Sequence, residues 1–233
     1  MINSIFLNLK KIFPNDKFYV VGGTSRDYIL GKEFNDYDLA TNLTPDEIKE
    51  KISDADMTFA KYGVTTVTIN NKKITLATMR KEKQYTDYRH PGKIEFVDDY
   101  LLDAERRDFT VNAIYLAPSG EILDPYGGLE DLRLGIIRMI GDPDKRLQED
   151  PLRIIRAIRF SLNLGFVIDS DLMTAIKRNK HLINLLNPRK IEEEINKTNE
   201  NKRSIIIEYL KKTNENMLWY LYRGLLWTLS KKI

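Results

Sequence analysis

The chain has 233 residues, of which 42% are hydrophobic, so it can build one large domain or two small ones around an apolar core. It has no cysteine, which excludes disulfides, thiolate zinc sites and cysteine nucleophiles. The net charge is +3, and residues 170–233 carry 13 Lys and Arg against 7 Asp and Glu, so a mildly acidic front precedes a basic rear. No apolar run approaches the ~20 residues of a membrane span and no signal peptide is recognised, which favours a cytoplasmic protein with no membrane partner.

The front of the chain predicts helices and strands in alternation. Helices are predicted over 4–13, 25–30 and 103–116, and from Thr44, where a capping residue precedes a first-turn proline. Strands are predicted over 18–21, 37–40, 64–69, 73–79, 94–97 and 136–140. Asn70-Asn71 suits a hairpin turn, and 124–128 is predicted to be a loop.

From residue 142 onward strand signals are absent, and the sequence predicts helices alone. They are expected over 150–164, 170–178, 188–198, 202–212 and 215–230, with Gly165 ending the first of them. The fold class is therefore α+β, with a mixed sheet and flanking helices followed by an all-helical rear.

A glycine turn and a pair of carboxylates carry the strongest functional signal. Gly22-Gly23 follows an apolar strand and leads into a helix, which leaves backbone N–H groups where a phosphate can sit. Asp36 and Asp38 are two residues apart, so in a strand they share a face and suit Mg²⁺, which shares its coordination with substrate phosphates. The alternative is an ordinary solvated Asp-x-Asp loop with no metal. A phosphate-binding turn beside two metal-binding carboxylates, however, indicates nucleotidyl transfer.

Arginines near these motifs could add phosphate contacts. Arg26 could bind phosphate with Asp27 orienting it, and the alternative is a surface ion pair that contributes little. Arg106 and Arg107 could bind triphosphate or ribose through their planar heads, with Asp108 capping a helix and bracing them.

A third constellation lies on the helix predicted from residue 150. Asp150, Arg153, Arg156 and Arg159 recur every three residues and form one polar stripe, which by default would be solvated. A carboxylate and an arginine one turn apart can also address the Watson–Crick edge of a base, because Arg donates to acceptors and Asp accepts from an exocyclic amine. Such a pair would suit C and A, which both carry that amine.

Together these segments resemble the class II tRNA nucleotidyltransferases, the CCA-adding enzymes, and the closely related bacterial poly(A) polymerases. The matching segments occur in family order at 22–31, 36–41, 106–113, 124–128, 149–166 and 188–194. The resemblance implies a polymerase-β-like nucleotidyltransferase head at 1–141, a helical, nucleotide-selecting neck at 142–200 and a short helical body remnant at 201–233.

The resemblance also implies a role for each matching residue. Asp36 and Asp38 are the catalytic residues and hold Mg²⁺. The nucleotide-binding residues are Gly22, Gly23, Arg26, Arg107, Asp150, Arg153, Arg156 and Arg159. Among them, Asp150 and Arg153 select CTP and then ATP for addition of C, C and A to the 3′ end of tRNA, with release of pyrophosphate. The family's flexible loop, which helps to switch from C to A, corresponds to Arg80, Tyr85, Asp87 and Arg89.

Two departures from the family leave alternatives open. Thr75 stands where relatives often have Glu on the strand before the loop, with Glu82 or Asp87 as substitute acids, and the chain ends about two helices after the neck. The alternatives are a poly(A) polymerase or A-only adder, an RNA-binding protein with a decayed active site, and, less favoured, a small-molecule nucleotidyltransferase. The aromatic segment 217–227 is expected in the core, or else as a face for a homodimer, a partner protein or RNA.

Overall fold

The computed structural model describes residues 2–85 and 91–211, which form two compact units. Of the described residues, the first unit comprises 2–84 and 91–132, and the second comprises Tyr85 and 133–211. The helix predicted at 215–230 and the loop residues Asp87 and Arg89 lie outside the described residues. The domain boundaries drawn after residues 141 and 200 stay predictions.

The first unit is built on a six-stranded mixed sheet with strand order β3-β4-β2-β1-β7-β8. Its strands are β1 (Phe18–Val20), β2 (Tyr37–Thr41), β3 (Val64–Ile69), β4 (Lys72–Thr78), β7 (Tyr115–Leu116) and β8 (Ile122–Leu123). A separate two-stranded sheet pairs β5 (Arg80–Tyr85) with β6 (Pro91–Phe96). The neighbours β2 and β4 are parallel and the other pairs of the large sheet are antiparallel.

Helices flank this sheet. They are α1 (Ile2–Ile12), α2 (Gly22–Ile29), α3 (Pro45–Lys51) and α4 (Tyr100–Glu105), while α5 (Gly128–Leu134) crosses the division between the units. Thr44 caps α3, as the sequence predicts, and forms a capping box with Glu47. Asn70 and Asn71 have φ values of 52° and 59°, the left-handed pair that a tight hairpin between β3 and β4 requires.

Alternation along β2 decides which side of the sheet is free for chemistry. Tyr37 and Leu39 are buried in one apolar cluster with Leu9 of α1 and Ile48 of α3. Because successive strand residues face opposite sides, residue 38 points away from that cluster.

The prediction of one long helix over residues 103–116 of the first unit is wrong. Residues 103–116 contain the end of α4, a 3₁₀ turn at Thr110–Asn112 and strand β7. Helix α5 and the short strand β8 were not predicted. The segment from Phe109 to Leu116 is buried throughout, so it has no amphipathic period that separates helix from strand.

The second unit is mainly helical. Its elements are β9 (Ile136–Ile137), α6 (Pro143–Glu149), α7 (Leu152–Leu164), β10 (Val167–Ile168), α8 (Ser170–Asn179), α9 (Pro188–Asn196), α10 (Arg203–Lys211) and two 3₁₀ segments at Lys180–Leu185 and Glu200–Lys202. Gly165 ends α7 with a φ of 75°, as predicted. Helix α6 was not predicted. Strand β10 is the exception to an all-helical rear, and its parallel partner β9 lies within the strand predicted over 136–140.

The predicted fold class is confirmed: a mixed sheet with flanking helices is followed by a mainly helical region. Across the described ranges 2–85 and 91–211, the helices are all too short or too polar to span a bilayer.

Candidate active site

The glycine turn lies directly beside the carboxylate pair. Helix α2 starts at Gly22, three residues earlier than predicted, and Gly22 has a φ of +67°, which glycine adopts without strain. The N–H of Val21 donates to the carbonyl of Asp38 at 3.0 Å. The first amides of a helix have no partner within it, so the start of α2 offers donors next to β2.

One threonine fastens the turn to both aspartates. The Thr24 hydroxyl donates to the carbonyl of Asp36 at 2.9 Å and accepts the backbone N–H of Asp38 at 3.1 Å. Thr24 is buried, and it fixes the spacing between the helix start and the two carboxylate-bearing residues.

The two aspartates differ in exposure. Asp36 is exposed, and Asp38 is half-buried on β2. Burial raises the pKa of Asp38, the neighbouring charge of Asp36 raises it further, and a hydrogen bond from Thr75 with the positive charge of Arg107 opposes the rise. Thr75 is the direct partner of Asp38 across the parallel strands β2 and β4.

This donor set fits Mg²⁺. Mg²⁺ is commonly held by one or two carboxylates and completes its coordination with water and substrate phosphates, so the pair is sufficient. Within the part of the chain that the structure describes, no group of three or more His, Cys, Asp or Glu is placed to hold a metal. Glu82, proposed from sequence as a substitute acid, instead pairs with Arg80 and lies 3.5 Å from Arg106.

Arg26 is held inside the first unit, which rules out the surface ion pair considered from sequence. Its guanidinium is bound by the carboxylate of Asp27 at 2.9 Å and donates to the Asn112 side chain at 2.8 Å. A Cβ on Gly23 would lie 3.5 Å from Arg26 Nη2, so the guanidinium lies beside the glycine turn. Arg26 is buried, with 7% of its surface exposed, and Asp27 is half-buried.

Arg107 also reaches the turn. Its Nη1 lies 3.8 Å from the position a Cβ would take on Gly22. The guanidinium is bound by Asp103 and by the Tyr115 hydroxyl. Asp108, expected to cap a helix, accepts the N–H of Phe109 at 2.8 Å instead.

Arg80, at the root of the expected flexible loop, is tied to the same region. Its backbone N–H donates to Asp103 at 3.2 Å, and its side chain donates to Glu82 at 2.8 Å and to the carbonyl of Tyr62. Tyr85 ends β5, so Arg80 and Tyr85 are the two expected loop residues within the described part of the chain.

In the second unit, Asp150 and Arg153 lie at the start of α7. The Asp150 carboxylate accepts the N–H of Leu152 at 3.0 Å. Arg153 is buried, and its Nη1 donates to the carbonyl of Arg146 at 2.7 Å and to Glu149 at 3.1 Å. The side chain is therefore fixed, which a base-reading arginine requires.

The other two arginines of the polar stripe on α7, Arg156 and Arg159, are not fully exposed to solvent. Arg159 is buried, donates to Glu194 of α9 at 2.7 Å and stacks on Phe160 with a centroid distance of 4.0 Å. Arg156 is half-buried and lies 3.7 Å from the other Glu194 oxygen. Glu194 thus joins α7 to α9.

Sequence reasoning missed Thr24, Asp103 and Glu194. Asp103 precedes Arg106 and Arg107 by three and four residues, the helical spacing of an ion pair, and this signal could have found it. Thr24 and Glu194 act on residues 12 to 35 positions away, so no local pattern indicates them.

The chain is similar to known proteins of one family. The family model of the poly A polymerase head domain matches residues 18–138. A CCA-adding enzyme from Ligilactobacillus salivarius is 42% identical over 165 residues, which cover 71% of this chain and 41% of that protein. A CCA-adding enzyme from Staphylococcus epidermidis is 39% identical over 191 residues, covering 81% and 48%.

Solved structures give the same result. The crystal structure of the Bacillus stearothermophilus CCA-adding enzyme in complex with CTP aligns with a TM-score of 0.75 and 33% identity, over 84% of this chain and 47% of that one. A tRNA nucleotidyltransferase complexed with a primer tRNA and an incoming ATP analog aligns with a TM-score of 0.70 and 26% identity, over 95% and 66%.

These matches define a nucleotidyltransferase head, and the chain belongs to the poly A polymerase head domain family. It spans between two fifths and half of the length of the curated CCA-adding enzymes it matches.

Proposed function

We propose that this chain is a tRNA nucleotidyltransferase that adds C, C and A to the tRNA 3′ end from CTP and ATP without a nucleic-acid template. The observation that carries the proposal is the junction at Thr24, which joins the Gly22 turn to Asp36 and Asp38 while Arg107 lies beside the turn. The CCA-adding relatives support this choice of substrate.

In the proposed reaction the tRNA 3′-hydroxyl oxygen forms a bond to the α-phosphorus, the α–β phosphoanhydride bond breaks, pyrophosphate leaves and the hydroxyl proton passes to solvent. The amides at the start of α2, with Arg26 and Arg107, hold the triphosphate. Asp36 and Asp38 would hold Mg²⁺, which neutralises phosphate charge and makes the hydroxyl more acidic. The chain contributes positioning and electrostatic stabilisation rather than a covalent intermediate.

Base choice is assigned to Asp150 and Arg153, with Arg156 and Arg159 in support. Glu149 and the carbonyl of Arg146 hold Nη1 of Arg153, so the plane of the guanidinium is oriented in advance for reading a base edge. The tRNA substrate agrees with the cytoplasmic location predicted from sequence. A homodimer or partner protein through the C-terminal helices stays a prediction.

The test of the active site is loss of nucleotide incorporation in Asp36→Ala and Asp38→Ala. Each change removes one of two metal-binding carboxylates, so labelled CTP incorporation into a tRNA transcript lacking CCA should fall by at least about a thousandfold. Circular dichroism should show an intact fold, since both side chains lie outside the apolar cluster.

Asp46→Ala is the matched control, because Asp46 is an exposed aspartate of the same unit, on α3. It should incorporate CTP at the wild-type rate. Activity retained in either Asp36→Ala or Asp38→Ala would overturn the assignment of the metal site.

A further inference from the structure

We infer that Asp103 is a positioning residue for nucleotide binding, which holds the guanidinium of Arg107 beside the Gly22 turn. The inference rests on the proposed function, because it takes Arg107 as a nucleotide contact and adds the residue that orients it. Asp103 belongs to none of the segments that carried the resemblance.

One carboxylate oxygen of Asp103 accepts hydrogen bonds from Arg107. Oδ2 accepts from Arg107 Nε at 3.2 Å and Nη2 at 2.9 Å, and the Tyr115 hydroxyl donates to the same oxygen at 2.6 Å. Arg107 Nε also donates to the Tyr115 hydroxyl at 2.8 Å. Asp103 and Tyr115 thereby hold Nε and Nη2, and Nη1, which lies nearest the turn, donates to the carbonyl of Asn112 at 3.4 Å.

The other oxygen serves the neighbouring segment. Oδ1 accepts from Arg106 Nε at 2.8 Å and Nη2 at 2.7 Å, and from the backbone N–H of Arg80 at 3.2 Å. A single carboxylate therefore joins two consecutive arginines and the start of β5. None of the Asp103 surface is exposed to solvent.

The neighbouring charges keep Asp103 ionised. Burial alone would raise the pKa of Asp103, but the charges of Arg106 and Arg107 outweigh burial and hold that pKa below its ordinary value. A flexible arginine loses side-chain entropy when it grips a phosphate, and orienting it beforehand removes part of that cost from binding. Asp103 thus acts on affinity through Arg107 and does not itself touch the nucleotide.

A double-mutant cycle on CTP affinity tests the inference. The dissociation constant of CTP with Mg²⁺ is measured by calorimetry for the full chain, Asp103→Asn, Arg107→Met and the double variant. Asp103→Asn should weaken CTP binding about tenfold, and Arg107→Met should weaken it at least as much. The double variant should bind no more weakly than Arg107→Met, because Asp103 acts through that side chain.

Two further variants separate positioning from folding. Asp131→Asn changes another buried carboxylate of the first unit, which accepts from Thr110 at 2.7 Å, and it should lower the melting temperature without changing the CTP dissociation constant. Tyr115→Phe removes the hydroxyl between Asp103 and Arg107 and should weaken CTP binding about threefold. If Asp103→Asn does not fold, this variant tests the positioning role of Asp103 in its place.

The outcomes are distinguishable. Multiplicative effects of Asp103→Asn and Arg107→Met, or unchanged affinity in Asp103→Asn, overturn the role of Asp103 while leaving the proposed function in place. If Asp103→Asn does not fold, unchanged CTP affinity in Tyr115→Phe overturns the role of Asp103. Absence of CTP binding by the unmodified chain contradicts the proposed function, and the role of Asp103 falls with it.

Discussion

At the scale of single residues, the candidate site depends on hydrogen bonds that fix short, chemically ordinary segments. A Gly-Gly turn and an Asp-x-Asp pair each occur widely, but the hydroxyl of Thr24 ties them into one unit. It bonds the backbone of both Asp36 and Asp38, and the N–H of Val21 adds a third bond to the Asp38 carbonyl. The carboxylates are therefore placed by backbone geometry.

Thr24→Val should lower both stability and activity. Valine keeps the shape but leaves the partly buried N–H of Asp38 without its acceptor, which costs about 1–3 kcal/mol of unfolding free energy. Urea unfolding and CTP incorporation measure the two effects. Thr24→Ser keeps the hydroxyl and should retain most of both, and equal stability of the valine and serine variants would contradict this account.

Arg153→Ala should change base choice more than it changes triphosphate binding. The Arg153 side chain is preorganised by Glu149 and by the Arg146 carbonyl, and a good base contact discriminates by about 1–3 kcal/mol. The measurement is the ratio of kcat/KM for CTP to that for UTP and GTP on one tRNA primer. The exposed Arg178 on α8 provides the control Arg178→Ala, which should leave this ratio unchanged.

Unchanged selectivity in Arg153→Ala would count against a template role for this residue. A uniform rise in KM for CTP, UTP and GTP would assign Arg153 to general binding instead.

At the scale of elements, sequence patterns found those whose signal is local. Alternation along β3 and β4, the Asn70-Asn71 turn and the Thr44 capping box are each encoded by neighbouring residues. Strand β9 lies within the strand predicted over 136–140, but β10 has only two residues and its partner is about 30 positions earlier in the chain, so no local pattern specifies β10.

The same distinction divides the candidate site. Gly22, Asp36 and Asp38 were recognisable because their chemistry follows from spacing. The burial of Arg159 was not, because it depends on Glu194, which lies 35 positions further along the chain.

Glu194→Gln should show what the contact between α7 and α9 contributes. Glu194 is buried and bound by Arg159 and Lys197, so removing its charge should cost about 3 kcal/mol of unfolding free energy at neutral pH. The pKa of Glu194 lies below its ordinary value of 4.5, because the charges of Arg156 and Arg159 outweigh the opposing effect of burial. This stabilisation is therefore present above about pH 4.5 and is lost as the pH falls through the folded-state pKa.

The measurement is urea unfolding of wild type and Glu194→Gln from pH 7 to pH 3. The difference between them should shrink below about pH 4.5. The exposed neighbour in Glu193→Gln should change stability by less than about 0.5 kcal/mol at every pH. A wild-type advantage over Glu194→Gln that persists unchanged to pH 3 would contradict the charge-based explanation.

At the scale of the whole molecule, the chain combines a head of the poly A polymerase head domain family with a basic, mainly helical second region. Its relatives are about twice as long, yet the candidate catalytic residues and the candidate base-selecting residues all fall within residues 22–159. The central proposal is therefore that this chain adds C, C and A to tRNA without a nucleic-acid template.

The most direct test is incorporation of labelled CTP and ATP, with Mg²⁺, into tRNA transcripts that end before CCA, after C and after CC, resolved on a sequencing gel. We predict that each primer is extended in order to a complete CCA end and that addition stops after A. Addition of A alone would identify an A-adding enzyme, and a long A tail would identify a poly(A) polymerase. Either result, or no incorporation on any primer by chain shown to be folded, would contradict the assignment.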